Sequence, residues 1–146
     1  MATLTGIALR KKSKQPMVTL STTTVSVEFG VANDLRGKPG KRQVTVMSEE
    51  CWVAACKEAG TELPWTARRA NLLVSGISFS RQDLGKIISL GDVQLRITDE
   101  TAPCHWMDKT YPGLRSALTP AWRGGVCCQV IQAGKITTGD TVTVSS

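Results

Sequence analysis

The stretch Val126-Cys127-Cys128-Gln129-Val130-Ile131-Gln132-Ala133-Gly134-Lys135-Ile136, continued by Gly139-Asp140 and then Val142 and Val144, decides the fold class. Its β-rich residues are punctuated by two glycine-containing turn signals, so it reads as two or three strands in a meander. Cys127 and Cys128 are adjacent in the first of these strands. Their side chains therefore point to opposite faces, and both read as packing residues. Working outward, Val93, Leu95 and Ile97 alternate with Gln94, Arg96 and Thr98 behind a Gly91-Asp92 turn. Val44 and Val46 alternate with Gln43 and Thr45, and Val25, Val27, Phe29 and Val31 alternate with Ser26, Glu28 and Gly30. A period of two is that of a half-buried strand.

Helices are few. Ser48 is placed as an N-cap, Glu49 and Glu50 suit the positive end of the dipole, and Gly60 suits the C-terminal turn. Trp52, Cys56 and Ala59 share one face of that helix, with Cys51 beside them. A shorter helix is expected between Met107 and Leu118, its last part starting at Pro112 and turning Leu114, Ala117 and Leu118 inward. Many short strands with one or two short helices predict a mainly β fold, a closed or nearly closed β-barrel, which leaves no sheet edge to aggregate. Without repeats or linkers, residues 1–146 read as a single domain.

The length allows a core without covalent staples, and no run approaches a membrane-spanning helix. Residues 1–9 lack the basic-then-apolar layout of a signal peptide, and basic residues follow them. Five cysteines at positions 51, 56, 104, 127 and 128 form no disulfide framework and no C-x-x-C pair. These features predict a cytoplasmic protein and no zinc site. The net charge of +6 is concentrated at residues 10–14, 36–42 and 68–69. Such clusters either bind phosphate-bearing partners or solvate loops. Nucleic acid is not expected, because aromatic residues do not interleave with the basic runs.

None of the Gly-Lys pairs has the spacing of a phosphate-binding P-loop, and no dinucleotide or nucleophile-elbow motif occurs. His105 is the single histidine, and it adjoins Cys104 in sequence, whereas triad partners meet through the fold. What stands out is Thr101-Ala102-Pro103-Cys104-His105-Trp106, a loop after the strand ending near Thr98. Pro103 stiffens the approach to the thiol, and a helix starting nearby favours its thiolate. The alternative is a buried, inert cysteine. Trp106, Met107 and Trp122 flank the segment and read as core.

These residues fall in an order that resembles a small stand-alone MOSC domain, the module named for the C-terminal region of molybdenum-cofactor sulfurases. The resemblance runs from about Gly30 to the C-terminus. It includes Gly30-Val31-Ala32-Asn33-Asp34-Leu35-Arg36, Arg42-Gln43-Val44-Thr45-Val46, Arg69-Ala70-Asn71-Leu72-Leu73 and Leu90-Gly91-Asp92. Ala102-Pro103-Cys104, Arg123-Gly124-Gly125-Val126, Gly134-Lys135-Ile136 and Gly139-Asp140 complete it. Asn33 replaces a usual glycine, which Asn tolerates through its ease at positive φ. Ala70 replaces a residue that is often polar, which removes a contact expected there.

The resemblance implies a MOSC-type barrel with Cys104 in a pocket, where it either ligates the molybdenum of a pterin cofactor or carries sulfur as a persulfide. Both need a thiolate. Arg36, Arg42 and Arg123 are the candidates for the cofactor's phosphate, or else surface charges or salt-bridge partners. Asp34 and Asn71 either orient them and meet the pterin edge or stabilise loops. The leading reading is a molybdenum-cofactor-binding protein, the catalytic part of a reductase of N-hydroxylated compounds, served by a separate electron donor protein because no iron–sulfur cysteine run is present. The second is a persulfide carrier fed by a separate sulfur donor such as a cysteine desulfurase. The third is a non-enzymatic module for an anionic partner.

Overall fold

The computed structural model describes residues 2–146, and in it the strands form one large closed sheet and one small one. The strands are β1 (Ala2–Leu9), β2 (Val18–Leu20), β3 (Thr22–Ser26), β4 (Gly30–Val31), β5 (Val44–Ser48) and β6 (Leu72–Ser75). They continue with β7 (Ile87–Leu90), β8 (Val93–Glu100), β9 (Val126–Gln132), β10 (Gly134–Thr137) and β11 (Thr141–Ser145). The large sheet runs β11-β7-β8-β9-β5-β6-β1, with β2 extending it along β1. Pairing of Ala2 with Val142 and of Thr3 with Thr141 returns β1 to β11 and shuts the barrel. The small sheet is β10-β3-β4.

The expected meander differs in pairing. The run after Val126 does make three strands, yet β9 pairs with β5 and β8, β10 with β3, and β11 with β7 and β1. One residue, Ala133, separates β9 from β10. A hairpin needs at least a two-residue loop, so the chain bends into the second sheet instead of folding back. The strand expected over residues 25–31 is also corrected: it breaks into β3 and β4. The Ser26 hydroxyl accepts the Phe29 N–H at 3.0 Å, Val25 pairs with Val31, and Phe29 is 71% exposed on the turn. Gly30 takes φ +64, and Gly37 packs so closely on the Phe29 carbonyl that any Cβ there would overlap it. A left-handed residue inside the alternating run ends the strand whatever its hydrophobic period.

β1 carries no clean alternation in Thr3-Leu4-Thr5-Gly6-Ile7, so its residues predict no strand. In the fold its residues from Ile7 to Leu9 are buried, and it joins β2, β6 and β11. A strand that is paired at both edges and covered on both faces shows no amphipathic pattern.

β5 and β6 are the parallel pair, linked by helix α1 (Glu49–Ala59). The Ser48 hydroxyl accepts the Cys51 N–H at 3.4 Å, and the Gly60 N–H, at φ +85, closes the helix on the Cys56 and Lys57 carbonyls. Alternation on these strands separates two cores. Val46, Leu72 and Val74 point into the barrel, whereas Met47 and Leu73 point outward beneath α1. Trp52, Ala55 and Cys56 of α1 meet them, along with Leu114, Ala117 and Leu118 of helix α3 (Leu114–Leu118). Helix α2 (His105–Thr110) begins earlier than expected, and Gly113, not Pro112, precedes α3 with φ +92.

Candidate functional site

Residues 101–104 leave the end of β8 and pass over the mouth of the barrel. Four interactions hold this loop. The Thr101 N–H donates to the Gly125 carbonyl at 2.8 Å. The Thr101 carbonyl accepts Nη2 of Arg68 at 2.7 Å. The Thr101 hydroxyl shares a 3.1 Å hydrogen bond with Sγ of buried Cys127. The Cys104 carbonyl accepts the Met107 N–H at 3.0 Å, opening α2. Gly124 lies against the underside, where a Cβ would overlap the Thr101 carbonyl and crowd Arg68 and Pro103. The Cys104 side chain makes no capping bond and is exposed.

Cys104 borders a cleft of about 970 Å³. Trp106 and Met107 also line it. So do Arg36, Lys38, Lys41 and Arg42, all exposed on the connection between β4 and β5. Arg10, at the end of β1, and Arg68 and Arg69, from the short helical turn before β6, complete the cationic lining. Asp34 is the one carboxylate among the lining residues. So many like charges around one concavity create a field that favours anions.

The residues singled out from sequence have different placements. Arg36, Arg42, Asp34, Asn71 and Cys104 all line the cleft. Asp34 uses its carboxylate on backbone, accepting the Arg10 N–H at 3.0 Å and the Arg36 N–H at 3.3 Å, and so shapes the rim loop. Asn71 is buried and committed to the barrel: Oδ1 accepts from the Thr45 N–H at 3.1 Å and Nδ2 donates to the Ala8 carbonyl at 3.2 Å. It therefore braces β1 against β5 under the cleft floor. Arg123 is not brought to the cleft. Its Nη1 pairs with the Glu58 carboxylate and donates to the Ala117 carbonyl at 3.0 Å, tying α1 to α3. Trp106 is corrected from core to surface, 49% exposed with Lys109 Nζ 4.4 Å above its ring. Met107 is buried and Trp122 packs on the barrel core.

Arg10 and Arg68 were not among the candidates, although both fall in the basic clusters. Each is only 8% exposed. Burial lowers the Arg68 pKa first and Arg42 adds to this, while its neighbours Cys104, Cys127 and Glu100 act to raise it. Burial likewise lowers that of Arg10, with Arg69 and Arg36 repelling it and Asp34 opposing them. The barrel cysteine Cys128 is pushed well up by burial and then by Cys127, which keeps it a neutral thiol. Among the described residues no three His, Cys, Asp or Glu side chains gather as a metal cage. The cleft thus offers one exposed soft donor and an array of cations.

Residues 18–143 match the model of the MOSC domain family. The chain belongs to the MOSC family. Solved structures share this MOSC fold along its whole length. The YuaD protein from Bacillus subtilis is 20% identical, covering 99% of this chain and 96% of its own, with a TM-score of 0.81. YiiM from Geobacillus stearothermophilus is 18% identical, covering 100% and 76%, with a TM-score of 0.76. YiiM from Escherichia coli is 16% identical, covering 99% and 70%, with a TM-score of 0.72. No curated protein matches the sequence. No helix among the described residues of this MOSC chain is long and apolar enough to cross a membrane.

Proposed function

We propose that the chain holds a pterin-based molybdenum cofactor in the cationic cleft, with Sγ of Cys104 as the protein's ligand to the metal, and serves as the catalytic part of a reductase of N-hydroxylated compounds. The observation that carries this reading is the exposed Cys104 thiol on the edge of a cleft whose charged lining is seven Arg and Lys side chains against the single carboxylate of Asp34. The donor set fits the group. A thiolate is a soft ligand suited to such a metal, and a single cysteine suffices where the pterin brings its own sulfurs. The cofactor's phosphate matches Arg36 and Arg42 at the rim, where both guanidinium groups are exposed.

Bound there, the cofactor would supply two-electron reduction chemistry. The chain's own residues do the rest. The Thr101 bonds fix the loop that carries Cys104, Asp34 shapes the rim that carries Arg36, and Asn71 braces the floor. Electrons reach the site from outside these 146 residues, which hold no cysteine run for an iron–sulfur cluster, and we assign that role to an electron donor protein. Five unpaired cysteines favour a reducing compartment, the cytoplasm.

The test is the molybdenum content of the chain purified from a host that makes the cofactor. Stoichiometric metal in the wild type and its loss in Cys104→Ser support the reading. Metal-free wild-type protein carrying a sulfane-sulfur adduct on Cys104 by intact mass would replace it with a persulfide carrier, for which the exposure of the same sulfur is equally apt.

A further inference from the structure

Arg68 is the charged side chain this fold accounts for least. It is 8% exposed, yet no carboxylate stands within ion-pairing distance of it. The two ion pairs among the described residues are Lys86–Asp83 and Arg123–Glu58. Nη2 is satisfied by the Thr101 carbonyl at 2.7 Å. Nε is shut from water and is the one buried side-chain nitrogen or oxygen among the described residues without a hydrogen-bond partner. A buried guanidinium with an unused donor and no ion-pair partner is destabilising unless an acceptor completes it, and the Glu100 charge acts on Arg68 only from beyond ion-pairing distance. Folds keep buried polar groups paired, so such an orphan calls for a partner.

The place of this guanidinium indicates what that partner is. Arg68 lines the same cleft as Cys104, its guanidinium holds the Thr101 carbonyl three residues before that cysteine, and Gly124 packs against both Arg68 and Pro103. Arg42 reaches it electrostatically from the rim. An acceptor seated between Arg68 and Arg42 is thus surrounded by positive charge and adjoins the sulfur.

We propose that Arg68 forms a subsite for an oxyanion group, a carboxylate, sulfonate or phosphate, immediately beside the sulfur of Cys104. This goes beyond the cofactor reading, because it assigns an anionic character to whatever approaches that sulfur. Arg68 is a binding residue here, and the subsite is separate from the exposed rim of Arg36, Lys38 and Lys41.

The test compares two alkylating reagents on Cys104 in protein prepared without cofactor, read by peptide mass spectrometry. Iodoacetate carries an oxyanion and iodoacetamide does not, while both consume the same thiolate, so their rate ratio cancels the ionised fraction. Relative to free cysteine, the wild-type ratio is expected to favour iodoacetate about tenfold, the effect of one charge-assisted hydrogen bond. Arg68→Met abolishes that preference, Arg68→Lys retains part of it, and Lys38→Gln leaves most of it. An unchanged ratio in folded Arg68→Met, or an equal loss in Lys38→Gln, overturns the proposal. Should Arg68→Met fail to fold, wild-type protein decides: inorganic sulfate, at ionic strength held constant with chloride, is expected to slow iodoacetamide labelling of Cys104 in a saturable manner. Absence of that protection also overturns it. Neither readout involves molybdenum, so the cofactor reading stands or falls separately.

Discussion

The Thr101 carbonyl lies 2.7 Å from Nη2 of Arg68, so a residue of the β8 terminus and one of the turn before β6 are fastened together three residues ahead of Cys104. Gly124 fills the remaining space beneath this junction. Gly124→Ala therefore forces the Thr101 carbonyl away from Arg68. Overpacking of this kind destabilises by about 1–3 kcal/mol. Urea unfolding is expected to show that loss, and a changed labelling rate of Cys104 in the folded variant marks the displaced loop.

Cysteine accessibility separates the five thiols. Cys104 is exposed and Cys51 half-buried, whereas Cys56, Cys127 and Cys128 are buried. Burial also pushes the Cys56 and Cys128 thiols up, away from the reactive thiolate. Brief treatment of native protein with iodoacetamide is expected to modify Cys104 first. The three buried cysteines react only after denaturant is added.

Asn71 distinguishes bracing from ligand binding. Asn71→Ala removes its bonds to Thr45 and Ala8. At about 1 kcal/mol for each bond, and more where a buried partner is left unmet, a loss of about 2–3 kcal/mol follows in chemical denaturation. Asn71→Asp keeps the acceptor facing Thr45 but loses the donor facing Ala8, and buries a charge. It is expected to be no better than Asn71→Ala, an outcome that a role in ligand binding alone would not produce.

Glu100 gives a pH signature. Burial, followed by the charge of Asp99, raises its carboxyl pKa above the ordinary 4.5, with Arg68 opposing. The folded state therefore holds this proton to higher pH than the unfolded state does. Stability contributed by the protonated form is present below about 4.5 and is lost as pH rises through the raised folded value. Glu100→Gln is expected to flatten that decline in urea midpoints measured from pH 4 upward, and a profile parallel to that of the wild type would contradict the assignment.

The helix α1 was legible because its signals are local. Ser48, the acidic first turn and Gly60 act within one turn of the ends they cap, and Trp52 and Cys56 lie four residues apart on one face. The strand at residues 93–100 was legible for the same reason, and it places the Cys104 loop directly after it. β1 was not legible, since a bulge between Leu4 and Gly6 shifts its register and Gly6 to Leu9 are buried on both faces, which erases the period. Phe29 misled, because apolar alternation continued through a turn that Gly30 and Gly37 impose.

From the sequence alone came the β class, the capped helix, the MOSC resemblance and the loop position of Cys104. Each depends on residues near one another in the chain, or on the order of such short runs along it. The tertiary structure alone decided that β10 leaves its neighbours for β3, that Arg10 and Arg68 sink beside the cleft, and that Arg123 goes to Glu58 instead. Periodicity states which face a strand buries but not which strand it joins. A charge in the sequence has the same letters whether the barrel, in closing, leaves it in water or draws it under a loop.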